Sequence, residues 1–289
     1  NNDINRRILK NLGLDLKVIS LMNEHMNQLK LYQLDDAIRN LNKLSKDRKL
    51  TEIERANVAL NKFKKLSQSE EITPISICKD MVDLIDKNTL KKLCKKGTRI
   101  LDIASKAGEF SIASYEKLLK IGVDKNKIKS ILDSIPTSNI AYEFTRKIYE
   151  ILDLDVDHIA SKFNTYDLLN VKDDDGKVDY LLLGSALSQN IKFSEIDLNQ
   201  INRKENNNMN FDIIVGNPPY QENISNEVGN ASLAKQLFPS FVRFVMELNP
   251  KYGSLIIPSK WFLADAQDKS FIKLREYVKD NNHIKNMVS

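Results

Sequence analysis

The spacing of apolar side chains changes at about residue 72. Before that point, apolar residues recur at steps of three and four, as in Ile4, Ile8 and Leu12, which is the pattern of an amphipathic helix. We predict about three helices in residues 1–72, the last of them opened by the capping box Thr51-Glu52-Ile53-Glu54. The segment contains one Gly and no Pro, which is typical of helices joined by short polar turns.

From residue 73 onward, short apolar runs alternate with amphipathic segments. Such alternation is typical of βαβ units that form a mostly parallel sheet with helices on both faces. The predicted strands are 99–104, 129–133, 191–197, 211–215, 254–258 and 283–288. The predicted helices are 73–85, about 89–97, 108–121, 136–152, 231–248 and 266–280, the first opened by a capping hydroxyl on Thr73 and by Pro74. We interpret residues 153–190 as an insertion between strands.

Composition excludes several classes of protein. The chain has 289 residues, of which 42% are apolar, a fraction found in globular rather than disordered chains. No run approaches the ~18 apolar residues of a membrane-spanning helix, and no secretory signal is visible at the start. The 2 Cys and 3 His match no zinc spacing. We therefore expect a cytoplasmic protein of bacterial type, with reduced cysteines and no metal.

The net charge of +5 is unevenly distributed. Residues 1–72 carry 14 Lys and Arg against 10 Asp and Glu, whereas the remainder carries 30 against 29. An excess this small is compatible with nucleic-acid binding but does not require it. A solvated helical surface explains it more simply.

Candidate chemistry lies where predicted strands end, because ligands of an open parallel sheet bind at the carboxyl ends of its strands. The first strand runs into Asp102-Ile103-Ala104-Ser105-Lys106-Ala107-Gly108-Glu109-Phe110, a turn of small residues that opens a helix. Such a turn lets a ligand approach the backbone. Asp133 stands at the predicted end of the second strand, where an acid can bind a ribose diol. Together the two features suggest a nucleoside-containing cofactor.

The fourth predicted strand ends in Asn217-Pro218-Pro219-Tyr220. Two prolines fix the backbone, so the Asn217 amide oxygen and the Pro218 carbonyl oxygen can point the same way. Two acceptors that converge on one point suit an amino group with two hydrogens, and Tyr220 can stack on a flat heterocycle. We therefore predict that this loop holds a planar ring that carries an amino group.

These motifs, in this order, resemble the adenine-specific DNA methyltransferases that use S-adenosylmethionine. The most similar group is the methylase portion of type I and type IIG restriction–modification polypeptides, and the resemblance covers about residues 73–289. It implies an α/β fold with a Rossmann-like class I methyltransferase sheet, doubly wound and mostly parallel. Residues 1–72 would be a helical module or linker, and residues 73–289 a methyltransferase domain that stops before its last strand. We therefore expect a fragment of a longer enzyme.

The resemblance also assigns roles to residues. Asn217 and the Pro218 carbonyl would hold the amino group of a flipped-out adenine in double-stranded DNA, with Pro219 and the stacking Tyr220 completing the loop. The methionine part of S-adenosylmethionine would be lined by Thr73, Asp102, Ser105, Gly108 and Phe110. Asp133 would bind the ribose hydroxyls. Asp197 would bind the adenine amino group of the donor, with Ser185 as its rival for that place.

The turn departs from the pattern of that family at two positions. Ile103 stands where a proline is usual, and Lys106 stands where the first glycine is usual. The Lys106 side chain would fill space that the ligand needs, unless its ammonium pairs with the donor's carboxylate. The turn therefore leaves the affinity for the donor open. Because we expect a fragment without its target-recognition region, we expect residues 1–289 alone to be inactive, or nearly so, on DNA.

Three questions stay open at this stage. The chain could instead be a protein-glutamine methyltransferase of release factors, a class that shares Asn-Pro-Pro-Tyr and a small helical domain in front of it. It could also be an inactive methylase fold that holds DNA or partner subunits. The helical segment could form a bridge to a nuclease or a brace on the sheet, and a recognition domain or subunit is a further expected partner.

Overall fold

The structure is a computed structural model, and it describes residues 2–12, 16–25, 28, 32, 43, 47–62, 71–171, 179–196, 211–222, 235–263, 269–281, 284–285 and 287. Its helices are α1 (Asn2–Asn11), α2 (Leu16–His25), α3 (Glu52–Lys62), α4 (Ile75–Asp83), α5 (Lys87–Lys95), α6 (Glu109–Lys120), α7 (Lys125–Lys129), α8 (Asn139–Leu152), α9 (Tyr180–Gln189), α10 (Phe238–Leu248) and α11 (Ser270–Asn281). Its strands are β1 (Ile100–Ser105), β2 (Leu132–Pro136), β3 (Ile213–Gly216), β4 (Gln221–Glu222), β5 (Lys235–Gln236) and β6 (Tyr252–Leu255). Short 3₁₀ turns lie at Val156–His158, Thr165–Asn170, Phe193–Glu195 and Ser259–Phe262.

A parallel sheet forms the centre of the described part of the chain, with the strand order β2-β1-β3-β6. A parallel bridge between Ser134 and Ile159 extends it beyond β2. Because all of these strands run the same way, their carboxyl ends meet at one edge. The hairpin of β4 and β5 is separate from the sheet and antiparallel. The predicted α/β class and parallel sheet are confirmed.

Helices cover both faces of the sheet. One face carries Ile100 and packs against α3 to α8, where Phe110 and Ile148 are fully buried. The opposite face carries Leu101 and packs against α9 and α10, where Phe241 is fully buried. Side chains along β1 alternate between these two cores because a strand has a period of two. The doubly wound arrangement is therefore confirmed.

The N-terminal helical segment contacts the sheet domain at two places. The two terminal guanidinium nitrogens of Arg7 on α1 each donate to one carboxylate oxygen of Glu143 on α8 at 2.9 Å. Helix α3 buries Ala56, Ala59 and Leu60 in the same core as α6 and α8. The predicted capping box of α3 is confirmed, with the Glu54 N–H 3.3 Å from the hydroxyl of Thr51. That residues 1–72 form a module of their own stays a prediction.

The second strand begins later than the sequence pattern predicts. Residues 125–129 form α7, whose first turn is capped by Asp124, with the Asn126 N–H donating to its carboxylate at 2.9 Å. The strand therefore starts at Leu132 and ends at Pro136. This shift moves Asp133 from the predicted strand end to the second position of β2.

The predicted strand at 191–197 is wrong over its described residues. Asn190, at φ +51°, ends α9, and residues 193–195 form a 3₁₀ turn. Phe193 packs its ring 4.6 Å from that of Phe163, so the apolar residues of this segment cover the core and do not join the sheet. Asp197 and half of the predicted strand 283–288 lie outside the described residues.

None of the helices that the structure describes has the length and apolar character required to cross a lipid bilayer.

Candidate active site

The glycine turn (residues 105–108) connects β1 to α6 at the carboxyl edge of the sheet. Gly108 has a φ of +78°, and a Cβ atom on it would lie 3.1 Å from the Cβ of Ile148. Its N–H donates to the Ser105 hydroxyl at 3.1 Å, and that hydroxyl lies 2.9 Å from the hydroxyl of Thr145. Conformation and space both therefore require glycine at this position. The tight strand-to-helix turn that the sequence predicts is present.

Asp102 lies inside β1 and is 2% exposed. Its Oδ1 accepts a hydrogen bond from the Ala104 N–H at 3.1 Å, but its buried Oδ2 has no hydrogen-bond partner within the described residues. Burial, and then the charge of Glu109, raise the pKa of Asp102 well above its usual range. An acceptor left buried and unpaired costs free energy, which makes Oδ2 a candidate ligand contact.

Two charged side chains are buried around the glycine turn. Lys106 is 3% exposed, and its ammonium donates to the main-chain carbonyl of Asn217 at 3.2 Å. Glu109 is fully buried, and its carboxylate accepts from the N–H groups of Ala107 at 2.9 Å and Thr73 at 3.4 Å. Sequence reasoning identified Lys106 but missed Glu109. The available signal was an acid at the first position of a helix, where it can satisfy free N–H groups.

The proline loop (residues 217–220) follows β3 at the same edge. Asn217 donates from Nδ2 to the Thr73 hydroxyl at 3.1 Å, while its Oδ1 is buried and has no hydrogen-bond partner in the part of the chain that is described. Pro218 and Pro219 are buried. Gly216, just before the loop, lies so close to β1 that a Cβ atom would be 3.0 Å from Cγ1 of Ile103. The loop is thus held tightly while one of its acceptors stays without a donor.

Tyr220 at the end of the proline loop packs against an apolar cluster. The cluster contains Phe238, Val242 and Trp261, and Tyr220 itself is partly buried against it. The main-chain carbonyl of Tyr220 accepts from the Leu237 N–H at 3.0 Å, which ties the loop to the start of α10. Burial raises the pKa of the Tyr220 hydroxyl. The tyrosine ring therefore has fixed support beside Asn217.

Thr73 lies in the site but does not cap its helix. Pro74 precedes α4, and no side chain caps that helix, so the predicted capping role of Thr73 is wrong. Its hydroxyl instead accepts from Asn217, and its N–H donates to Glu109. Thr73 is therefore brought to the proline loop, where it fixes which atom of the Asn217 amide stays unpaired.

Asp133 is not at the carboxyl edge of the sheet, so its predicted position is wrong. As the second residue of β2, it forms an ion pair with Arg99 and lies 3.0 Å from Nδ1 of His158. In register, Asp133 lies beside Leu101, and Ser134 beside Asp102. Because side chains alternate along a strand, Asp133 and Asp102 face opposite sides of the sheet.

Phe110 is also away from the edge. Its ring is fully buried in the core between the sheet and the helices α6 and α8. It lines a narrow gap in the packing together with Asp102 and Ser111. The structure therefore places Phe110 beside Asp102, as part of the packing behind the glycine turn.

A pocket of about 100 Å³ lies at the carboxyl end of β2, and sequence reasoning missed it. It is lined by Pro136, Ser138, Asn139, Tyr142, Ala160, Ser161, Lys162, Phe163, Asn164 and Asp167. The Thr165 hydroxyl lies 2.9 Å from the carbonyl of Ile103 and 3.2 Å from that of Ile135, so this wall is attached to both strands. From the sequence we interpret residues 153–190 as an insertion. Within them, Asn164-x-x-Asp167 is a capping signal at the start of a turn, and this signal indicates the pocket wall.

The two candidates for the donor's adenine are not resolved by geometry. Asp197 lies outside the described residues. Ser185 is 4% exposed on α9, and its carbonyl accepts from the Ser188 hydroxyl at 3.1 Å. The assignment between them stays a prediction. No group of three or more His, Cys, Asp or Glu side chains among the described residues is arranged to hold a metal ion.

Comparison with known proteins gives a consistent result. A family model described as Eco57I restriction-modification methylase matches residues 16–289. An uncharacterized adenine-specific methylase of Mycoplasma pneumoniae is 45% identical over 78 residues, which cover 27% of this chain and 18% of that protein. The type II restriction enzyme and methyltransferase RM.Eco57I of Escherichia coli is 26% identical over 265 residues, which cover 75% of this chain and 25% of that protein. The chain thus spans a quarter or less of these curated relatives, and no solved structure matches it significantly.

Proposed function

The chain belongs to the Eco57I restriction-modification methylase family, and we propose that it transfers a methyl group from S-adenosylmethionine to the exocyclic amino group of adenine in DNA. The observation that carries this proposal is the buried Oδ1 of Asn217, at the carboxyl edge of a parallel sheet, to which no donor in the described ranges is bonded. An amino group that enters the site would supply the missing donor.

The residues around the glycine turn fit the proposed methyl donor. S-adenosylmethionine supplies an activated methyl group on its sulfonium, and it also carries an ammonium and hydroxyl groups that can donate hydrogen bonds. Asp102 offers a buried carboxylate oxygen that no described residue contacts with a hydrogen bond, and Gly108 keeps the turn free of a side chain at the start of α6. Ser105 supports the turn through its hydrogen bond to the Gly108 N–H.

The pocket at the carboxyl end of β2 is the place we propose for the adenosine part of the donor. Ser138 and Asn139, just past β2, are better placed for the ribose than Asp133, whose carboxylate is bound to Arg99. Asp197 remains our proposal for the adenine amino group, with Ser185 as its rival. Asn164, in the pocket wall, is a further candidate that the structure adds.

The proline loop would hold the target base. Asn217 Oδ1 and the Pro218 carbonyl would accept the two hydrogens of the adenine amino group, which draws its lone pair out of conjugation and toward the methyl donor. Thr73 supports this arrangement because it occupies Nδ2 of Asn217 and so leaves Oδ1 for the base. Tyr220 would stack on the extruded ring and offset part of the few kcal/mol that extrusion costs.

The alternatives are less well supported. The names of both relatives refer to adenine-specific methylation or to restriction, which favours DNA over a release factor as the substrate. Lys106 is one of the observations that favour the inactive-scaffold alternative. Its ammonium bonds the main-chain carbonyl of Asn217, not the side-chain oxygen that would bind the base.

The proposed function can be tested with Asn217→Ala in the complete polypeptide that carries residues 1–289. We expect tritiated-methyl transfer to unmethylated DNA to fall by about 10²–10³-fold, the usual cost of removing an orienting hydrogen-bond partner in an active site. Donor binding, measured by calorimetry, should persist. Asn126→Ala, on the exposed surface of α7, is the matched control and should keep full activity. Undiminished transfer by Asn217→Ala, or transfer to a release factor but not to DNA, would contradict the proposal.

Partners in the whole protein are also proposals. The relatives are four or more times longer than the part this chain matches, so we propose that a recognition domain or subunit selects the DNA site and that a nuclease domain accompanies the methylase. Residues 1–289 alone should then bind the donor but transfer little methyl to DNA. Efficient methylation of one specific sequence by this chain alone would contradict that expectation.

A further inference from the structure

Hydrogen bonds join the glycine turn and the proline loop into a closed ring. Lys106 of the turn donates to the Asn217 carbonyl at 3.2 Å, and Asn217 donates from its side chain to the Thr73 hydroxyl at 3.1 Å. Thr73 donates its N–H to Glu109 at 3.4 Å, and Glu109 accepts the Ala107 N–H at 2.9 Å. The ring therefore begins and ends at adjacent residues of the same turn, and it includes the side chain that would bind the base.

Apart from the half-buried Asn217, the members of this ring are buried, so its geometry is constrained. Lys106, Glu109 and Thr73 are each 3% exposed or less. A buried ammonium or carboxylate must keep its hydrogen-bond partners, because an unpaired buried charge is strongly unfavourable. A shift of the turn would therefore pull on the Asn217 main chain through Lys106 and on its side chain through Thr73. Asp102, whose Oδ2 has no hydrogen-bond partner among the described residues, lies in β1, three residues before this turn.

We propose that Lys106 is a positioning residue, which transmits occupancy of the glycine turn to the proline loop. This inference rests on the proposed function and deepens it. A donor that binds at the turn moves or stiffens the Lys106 ammonium, and the ammonium sets the position of the Asn217 carbonyl and hence of its side-chain amide. Binding of the methyl donor and readiness of the base site are then coupled through one side chain. This coupling gives a role to Lys106, which stands where the family pattern usually has a glycine.

Trp261 provides a reporter of the proline loop that does not depend on activity. It is the single tryptophan of the sequence, it is 4% exposed, and it belongs to the apolar cluster against which Tyr220 packs. A change in the position of Tyr220 should alter the environment of the indole and therefore its emission. Donor binding at the turn can thus be compared with the response of the loop in one titration.

The experiment titrates S-adenosylmethionine into the full chain and follows both the heat of binding and the Trp261 emission. In the unaltered chain we expect the emission to change with the same Kd as the heat. In Lys106→Met, which keeps the length of the side chain but removes its charge, the Kd from calorimetry should stay within about threefold, and the emission change should be lost. Lys106→Arg, which restores a donor, should recover the emission change.

Two further variants make the result specific. Thr73→Val removes the other link to Asn217 and should also lose the emission response while the donor still binds. Lys95→Met, an exposed lysine of α5, should behave like the unaltered chain. Far-ultraviolet circular dichroism confirms that each variant is folded, and where Lys106→Met fails to fold, Lys106→Gln and Thr73→Val give the same comparison.

The outcomes separate the two proposals. An unaltered chain that takes up no donor overturns the proposed function and this inference together. A chain that binds the donor without an emission change, or a Lys106→Met variant with the full change, overturns the coupling and leaves the proposed function standing. Loss of donor binding in Lys106→Met would show that the lysine binds the donor itself, which also overturns the positioning role.

Discussion

At the scale of single residues, the site is defined by acceptors that the protein leaves unpaired. Asn217 Oδ1 and Asp102 Oδ2 are both buried, and neither has a hydrogen-bond partner within the described residues. Each arrangement costs stability in the absence of a ligand. Costs of this kind are retained where a bound group supplies the missing donor. The two atoms are therefore the positions at which stability and function should respond to substitution in opposite directions.

Asp102→Asn should increase stability while it weakens function, and the gain in stability should depend on pH. Because the pKa of Asp102 is raised in the folded protein, folding favours the neutral acid. The stabilising contribution of that raised pKa is complete below the unfolded value of about 4 and is lost as the pH rises through the folded value. We expect Asp102→Asn to be more stable than the unaltered chain at about pH 8, with the gap closing toward about pH 4. Urea unfolding across this range measures the difference.

The same variant should weaken donor binding, measured by calorimetry at neutral pH. Glu109 and Lys106 face Asp102 and also carry charge, so Glu109→Gln serves as the comparison for a general change in local charge. A stability difference that does not depend on pH would contradict a raised pKa for Asp102.

Gly108→Ala should be more disruptive than the same change at another glycine with positive φ. Gly122 has a φ of +80° but open space around its Cβ position, so alanine there should cost only the left-handed backbone energy of about 1–2 kcal/mol. At Gly108 the new methyl group also meets Ile148 at 3.1 Å, which adds about 1–3 kcal/mol of overpacking. Denaturant unfolding of both variants gives the comparison. Equal costs at the two positions would mean that Ile148 can move away freely.

Some of the site could be predicted from local sequence, and some could not. The glycine turn and the proline loop have distinctive residues in a short span, so their positions at strand ends follow from the chain itself. The partnership of Thr73 with Asn217 joins residues 144 apart and depends on how α4 is placed against β3. The ion pair of Asp133 with Arg99 depends on a strand boundary three residues from the predicted one.

At the scale of elements, most strands and helices follow the apolar pattern. β1 and β3 begin within two residues of their predicted positions, because both are buried apolar runs bounded by clear turns. The segment 191–196 has only three separated apolar residues, Ile191, Phe193 and Ile196, and Asn190 in the left-handed conformation turns it onto the core. A few spaced apolar residues therefore do not by themselves distinguish a strand from a covering turn.

Helix α3 should stabilise the sheet domain directly. Leu60 is 6% exposed and lies in the core shared with α6 and α8, so Leu60→Ala should lower the free energy of unfolding by about 2–5 kcal/mol. Arg7→Ala, which removes a partly exposed ion pair between α1 and α8, should cost at most about 1 kcal/mol. A single cooperative transition that shifts in Leu60→Ala supports a brace over a flexible bridge. A separate transition for the N-terminal helices would support the bridge.

At the scale of the whole molecule, function is concentrated at one edge of the sheet. The glycine turn, the proline loop and the pocket beside β2 all follow carboxyl ends of parallel strands, although they come from residues about 110 positions apart. The parallel fold explains this convergence, because every crossover returns the chain to the same end. The family match extends over residues 16–289 and thus includes most of the helical segment as well as the sheet. Both parts therefore belong to the unit that the family shares.

The alkylation rate of Cys78 reports how often α4 opens from the sheet domain. Its thiol is fully buried, donates to the Thr73 carbonyl at 3.8 Å, and has a pKa raised by burial, so it cannot react while α4 is in place. The rate of alkylation of this cysteine therefore measures how often α4 opens locally beside Thr73. Cys94 on α5 is also buried, and its alkylation rate is the internal control for opening elsewhere in the protein. A ligand that stabilises the packing of α4 would slow alkylation at Cys78 and leave the alkylation rate at Cys94 unchanged.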